Sequence, residues 1–284
     1  MKRCTMLWGL SILGALAAFP FTAALSAAPT TGPGTAASDD SDRKRTPEIA
    51  VEATRRRDRI QMELSRLRGH PWAGSYYAGD GLGVNTMLWL APEGGFVFEW
   101  HGCLGLYDRN YGSAKAGDGL VRLQCELPNK REGFEGIEPD LHPIHWGQRI
   151  YLVADSEMLQ FVNAINSGKE PRREIHGMFL MRDGDDQKPA DAKPDLPAAQ
   201  SALLLTKPLS CQISKTGNQI QIDAGRAEGV FVGMELYATD HKISAWFDVT
   251  DVAEHSAGLK PSFVHPENAS LAGLKLSSRA SWAR

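Results

Sequence analysis

Apolar residues in this chain recur mainly at every second position, in short runs broken by glycine, proline and small polar residues. Phe96, Phe98 and Trp100 share one face of an alternating run, while Val97, Glu99 and His101 share the other, the period of a half-buried strand. With the run Val84–Ala91 before it and the turn Pro92–Gly95 between, this predicts a hairpin. Further strands are expected at Trp72–Tyr77, Leu120–Leu127, Gln148–Ala154 and Ile175–Met181. A second series falls near Leu209–Lys215, Gln219–Asp223, Met234–Ala238, Ala245–Glu254 and Gly258–Val264.

Two stretches carry a helical period instead. Ile49, Ala53, Ile60, Leu64 and Leu67 form one stripe, opened by Thr46 and Pro47 and stopped by Gly69. Met158, Phe161, Val162 and Ile165 form another, within about 156–166. The expected fold is mainly β with minor α: two small barrel-like or sandwich-like domains preceded by an amphipathic helix. The boundaries expected are a leader over 1–28, a disordered stretch over 29–45, the helix over 46–69 and a β-rich domain over 70–182. A linker over 183–200, a small barrel over 201–276 and a tail over 277–284 complete the series.

The N-terminus adds an address. Lys2 and Arg3 precede the uncharged apolar run Met6–Phe19, and small residues cluster over Ala23–Ala28. This is the pattern of an export signal cleaved after Ser26 or Ala28, which places the protein in the periplasm or outside the cell. The alternative is an uncleaved anchor, the one route by which the chain would meet a membrane.

Charge narrows the partners. The net charge is −3, and loss of Lys2 and Arg3 makes the remainder more acidic, so no basic footprint for nucleic acid is present. Arg55, Arg56, Arg57 and Arg59 crowd the first helix, where Glu48, Glu52, Asp58 and Glu63 balance them as a solvated face.

Candidate chemistry gathers in the first β region. His101, Cys103, His142 and His145 are ligand types for zinc or copper, and with an open water position they would make a metal-dependent hydrolase. The other reading puts His101 on a sheet face, Cys103 in a disulfide, and His142 and His145 in a loop around Pro143. Export favours a Cys103–Cys125 bridge, which would close a loop of about 20 residues and contribute roughly 3 kcal/mol. Tyr107, Asp108, Arg109, Asn110 and Tyr111 read as a loop, either binding a sugar or structural. An apolar-ligand carrier would need a first barrel not filled by Trp72, Phe96, Phe98 and Trp100. No nucleophile elbow, phosphate loop, dinucleotide fingerprint or zinc-protease helix is visible, so no catalytic residue is assigned, and no cofactor is expected apart from the zinc or copper of the hydrolase reading.

Residues 219–237 place glycines at Gly225, Gly229 and Gly233 between two short alternating runs, with Val230 and Met234 set to pin the turn to a core. This stretch resembles the small β-barrel domains of the rod-shape-determining protein MreC and the flagellar assembly protein FlgT. The first domain, at Trp100–Tyr111 and Phe161–Arg172, is similar to uncharacterised secreted bacterial proteins. The barrel resemblance implies protein–protein contact without catalysis; together with the export pattern and the two-module architecture it gives the expectation of an envelope partner, a protein or peptidoglycan.

Overall fold

The computed structural model describes residues 44, 46–79, 81, 83–131, 134–169, 171, 179–190, 193–215, 217 and 219–279. The expected export signal over 1–28 and most of the 29–45 stretch lie outside the described residues. Within them no helix is long and apolar enough to cross a membrane.

The chain is mainly β and builds two closed barrels that belong to one compact unit. Helix α1 (Pro47–Leu64) comes first. The first barrel then uses β1 (Gly74–Gly79), β2 (Val84–Ala91), β3 (Gly95–Gly102), β4 (Gly105–Gly117) and β5 (Leu120–Cys125). A small side hairpin, β6 (Lys130–Arg131) and β7 (Phe134–Glu135), leads to β8 (Asp140–Trp146) and β9 (Arg149–Ala154). Helix α2 (Met158–Ser167) intervenes before β10 (Leu180–Arg182) closes the ring. The order around the barrel is β1-β10-β9-β8-β5-β4-β3-β2, every pair antiparallel.

The expected alternation sets the interior. Leu88, Leu90, Phe96, Phe98, Leu123 and Leu152 point inward with Tyr76 and leave a packed core, with Trp72 and Trp100 against it. That filling removes the hollow interior an apolar-ligand carrier would need. The outer face of β2, β3 and β4 is covered by α1, whose Ala53 and Ile60 pack on Ala91, Val97 and Tyr111. Burying an isoleucine such as Ile60 contributes roughly 1.5–3 kcal/mol. Helix α1 ends at Leu64, short of Gly69, and Thr46 caps it in extended conformation without a side-chain bond.

Two strands stand where loops were expected. β4 contains Tyr107–Tyr111, and β8 contains His142, Pro143 and His145. Pairing of β8 with β5 ends at Leu141, so Pro143 sits beyond it, an edge-like position that tolerates a residue without N–H. The 183–200 stretch is tied along the β8–β9 hairpin rather than hanging free. Asp185, fully buried, accepts from the Ile150 N–H at 2.8 Å and pairs with Lys188 at 2.5 Å. Arg149 donates to the Lys188 carbonyl at 2.7 Å, and Asp195 N–H to the His145 carbonyl at 2.7 Å.

The second barrel runs β11-β12-β15-β14-β13-β16, from β11 (Ser210–Lys215), β12 (Ile220–Ile222), β13 (Glu235–Ala238), β14 (Ser244–Val252), β15 (Ala257–His265) and β16 (Lys275–Ser277). Its glycine turn behaves as the pattern suggests. A Cβ at Gly225 would meet the Ala253 carbonyl at 2.5 Å, and Val230 and Met234 are buried. Gly233, at φ +83°, lies against Leu159 of α2, where a Cβ would meet that side chain at 2.6 Å.

Candidate functional site

The four proposed metal ligands do not converge. β3 and β8 are separated by β4 and β5, three strand spacings or roughly 14 Å along the sheet. His142 and His145, three apart on a strand, face opposite sides of β8. His101 Nε2 lies 3.3 Å from Glu99 Oε2, and His142 Nε2 lies 2.6 Å from Asp155 Oδ1. Among the described residues no group of three or more His, Cys, Asp or Glu could hold a metal ion. The zinc or copper site of the hydrolase reading is therefore absent from this arrangement of His101, Cys103, His142 and His145.

The Cys103–Cys125 bridge is not formed. Cys125 pairs opposite Gly112, whereas Cys103 lies in the turn beyond Gly105 at the other end of β4. The seven residue steps from Gly105 to Gly112, at about 3.3 Å each, put the two cysteines roughly 20 Å apart, against the roughly 7 Å that a disulfide spans. Burial pushes the Cys125 thiol above its ordinary range, with Asp108 adding to the rise and Lys44 partly offsetting it. Burial, with Asp223 beside it, pushes the Cys211 thiol up to about 12.

The Tyr107–Tyr111 segment lies in a strand, and its side chains make contacts within the fold. A bulge between Trp100 and His101 admits Tyr107, whose ring meets Trp100 edge-on at 5.7 Å. Asp108 faces inward beside Trp100 and bonds Lys44 Nζ at 2.7 Å, both groups nearly fully buried at 3% and 2% exposure. Arg109 pairs with Glu99 at 2.7 Å on the outer face. Asn110 brackets the chain at Leu127, accepting from its N–H at 3.3 Å and donating to its carbonyl at 3.2 Å. Tyr111 carries the Arg56 guanidinium 4.4 Å above its ring. The arginine run is thus only partly a solvated face, because Arg56 also pairs with Glu126 and Arg57 lies over Trp89.

A different site lies where the barrels meet. α2 is the shared wall: Asn163 donates to the Gly233 carbonyl at 2.8 Å and accepts from the Glu235 N–H at 3.4 Å. Asn166 holds the approach to the second barrel, donating to the Leu203 carbonyl at 3.1 Å and accepting from the Leu205 N–H at 3.0 Å. Phe231 packs against both the second core and the α2 cluster.

Beside this junction opens a cleft of about 530 Å³, within the usual range of small-molecule sites. Trp146 at the end of β8 lines it, half-buried, with Asn166 and Leu204. Lys193, Lys207 and Arg279 reach it from three separate segments, and no carboxylate among the described residues lines it. None of these three exposed cations has an acidic partner among the described residues. Such a site can bind and orient an anion with an apolar face; among the described residues that line it, no nucleophile is paired with a base.

No family model, curated protein or solved structure matches the chain. The cleft therefore rests on its own geometry. Sequence reasoning missed it because its members are single charges scattered over the 183–200 stretch, the approach to β11 and the segment after β16, plus a tryptophan with no periodic company. The one available signal was the absence of acidic neighbours beside Lys207 and Arg279.

Proposed function

We propose that this protein is an exported, non-catalytic binding module of the cell envelope, and that the inter-barrel cleft is its contact with another envelope component, a protein or peptidoglycan. The observation that carries this reading is the convergence of Lys193, Lys207 and Arg279, without acidic partners among the described residues, on a cleft lined by Trp146. Unspent positive charge beside a half-buried aromatic suits recognition, since both elements lose little by waiting for a ligand. The N-terminal export pattern and the likeness of the Gly225–Met234 turn to envelope barrel domains support the same assignment.

Co-sedimentation with an isolated bacterial envelope fraction tests it. The wild-type chain is expected to pellet with the envelope, and the Lys193→Glu, Lys207→Glu, Arg279→Glu triple variant to stay in the supernatant. All three side chains are exposed, so the substitutions leave the core intact. Equal pelleting of both proteins, or of neither, would overturn the assignment.

A further inference from the structure

The cleft also specifies a ligand chemistry. Its three cations lie on stretches 86 residues apart at the extremes, from Lys193 to Arg279, and meet only because α2 locks the barrels together. Three positive groups around one opening call for a ligand with more than one negative charge. Arginine in particular matches a planar carboxylate through two parallel hydrogen bonds.

Trp146 adds an apolar requirement. Its ring sits 6.3 Å from that of Tyr151 and packs on the α2 cluster, so its position is set before any ligand arrives. An indole surface held in this way suits a ring that presents a face of C–H bonds, as the puckered ring of a sugar does. Asn166 has spent its amide on Leu203 and Leu205, so it stiffens the floor.

Other ligand classes fit less well. Both barrels beside the cleft are closed, so neither offers a free edge for an extended peptide to join by backbone hydrogen bonds. A net charge of −3 argues against a nucleic acid tracking over the wider surface. The volume of about 530 Å³ admits a short oligomer.

We propose that the cleft binds a carboxylate-bearing oligosaccharide, with a sugar ring stacked on Trp146 and its carboxylates held by Lys193, Lys207 and Arg279. The assignment rests on the binding-module reading above and deepens it to one ligand class.

Isothermal titration of the full chain with trigalacturonic acid provides the test, with maltotriose as the uncharged oligomer, hexaglutamate as the acidic peptide and inorganic phosphate as the bare anion. Trigalacturonic acid is expected to bind at least about tenfold more tightly than any of the three, and to weaken steeply as salt shortens electrostatic reach. Lys193→Glu with Lys207→Glu should remove the binding. Trp146→Phe should weaken it about tenfold while retaining a ring in the core, which covers the case in which Trp146→Ala fails to fold. Equal binding of maltotriose would show that the cations are idle and overturn the proposal. Equal or tighter binding of hexaglutamate or phosphate would overturn it by showing that the ring platform is unused. If trigalacturonic acid does not bind while envelope sedimentation still depends on the three cations, the sugar assignment falls alone. If neither occurs, both fall.

Discussion

The two barrels solve the same closure problem with different materials. The second is apolar throughout its core: Ile213, Ile222, Met234, Leu236, Phe247 and Leu276 fill it, and Ser277 and Ser278 are its only buried polar side chains among the described residues. The first buries Thr86, Glu99, Asp108, Asn110 and Asp185, and draws Lys44 in from outside the sheet. Most of these polar groups tie strands or neighbouring segments together: Lys44 to Asp108 on β4, Arg57 on α1 and Arg109 on β4 to Glu99 on β3, Asn110 to Leu127, and the 183–200 stretch to β9 through Asp185. Apolar packing closes a barrel on its own, whereas buried polar pairs make closure depend on what lies beside it.

The difference is broken most directly at the Lys44–Asp108 pair. Asp108→Ala leaves the Lys44 ammonium buried without its counter-charge, and Asp108 Oδ2 already lacks a partner among the described residues. Removing one partner of a buried pair costs about 3–5 kcal/mol, so Asp108→Ala should destabilise the first barrel by that order. Replacing both, as Lys44→Met with Asp108→Leu, should recover most of the loss. Hydrogen exchange across both barrels checks this. Protection should fall in β3, β4 and β5 and persist in β14 and β15; a uniform loss, or a loss under about 1 kcal/mol, would show that the first barrel closes as independently as the second.

The same contrast explains what could be read from the chain. The two-residue period of Phe96–Trp100 and the turn at Pro92–Gly95 are local signals, and the β2–β3 hairpin stands as they suggest. The mainly β class and the preceding helix follow from signals of the same kind. β4 was hidden because Asp108, Arg109 and Asn110 look like turn formers until their partners are known, and those partners lie far off: Lys44 is 64 residues from Asp108 and Leu127 is 17 from Asn110. β8 was hidden by Pro143, whose tolerance depends on where its pairing with β5 ends. The histidines and cysteines suggested a metal site because residue type is visible in a sequence while strand order and facing are not. The cleft, assembled from isolated charges, is a product of tertiary docking and has no local pattern at all.

A smaller effect probes whether that docking is as tight as each barrel. Asn163 spends both ends of its amide on the second barrel, at the Gly233 carbonyl and the Glu235 N–H, and is itself buried. Asn163→Ala leaves those backbone groups unsatisfied at a cost of about 1–3 kcal/mol, charged to the junction rather than to either core. In urea, the wild type is expected to unfold in one transition and the variant in two, with the polar-reinforced first barrel and the apolar second barrel separating. A single transition with an unchanged midpoint would show that the apolar contacts of Phe231 and Leu159 hold the junction without the asparagine.

The smallest effect lies on the surface of α1, where the first barrel's dependence on its surroundings reaches solvent. Hydrogen bonds from Arg55 and Arg56 hold the Glu52 carboxyl down at about 2, below its ordinary 4.5. Because the folded value is depressed, the stabilisation is complete above about pH 4.5 and is lost as pH falls towards 2. Glu52 is partly exposed, so solvent screening limits the contribution to about 0–1 kcal/mol. Glu52→Gln should therefore lower stability slightly at pH 7, with the difference from wild type shrinking between pH 4.5 and 2 and diminishing in high salt. The loss should appear in α1 and in the strands it covers, since Arg56 also grips Glu126 and lies over Tyr111. The contacts of α1 described above all fall on the first barrel, so the exchange rates of the second should not respond. An equal response in β14 and β15 would mean that α1 stabilises the chain as a whole, and the contrast between a self-closed barrel and a buttressed one would not hold at this position.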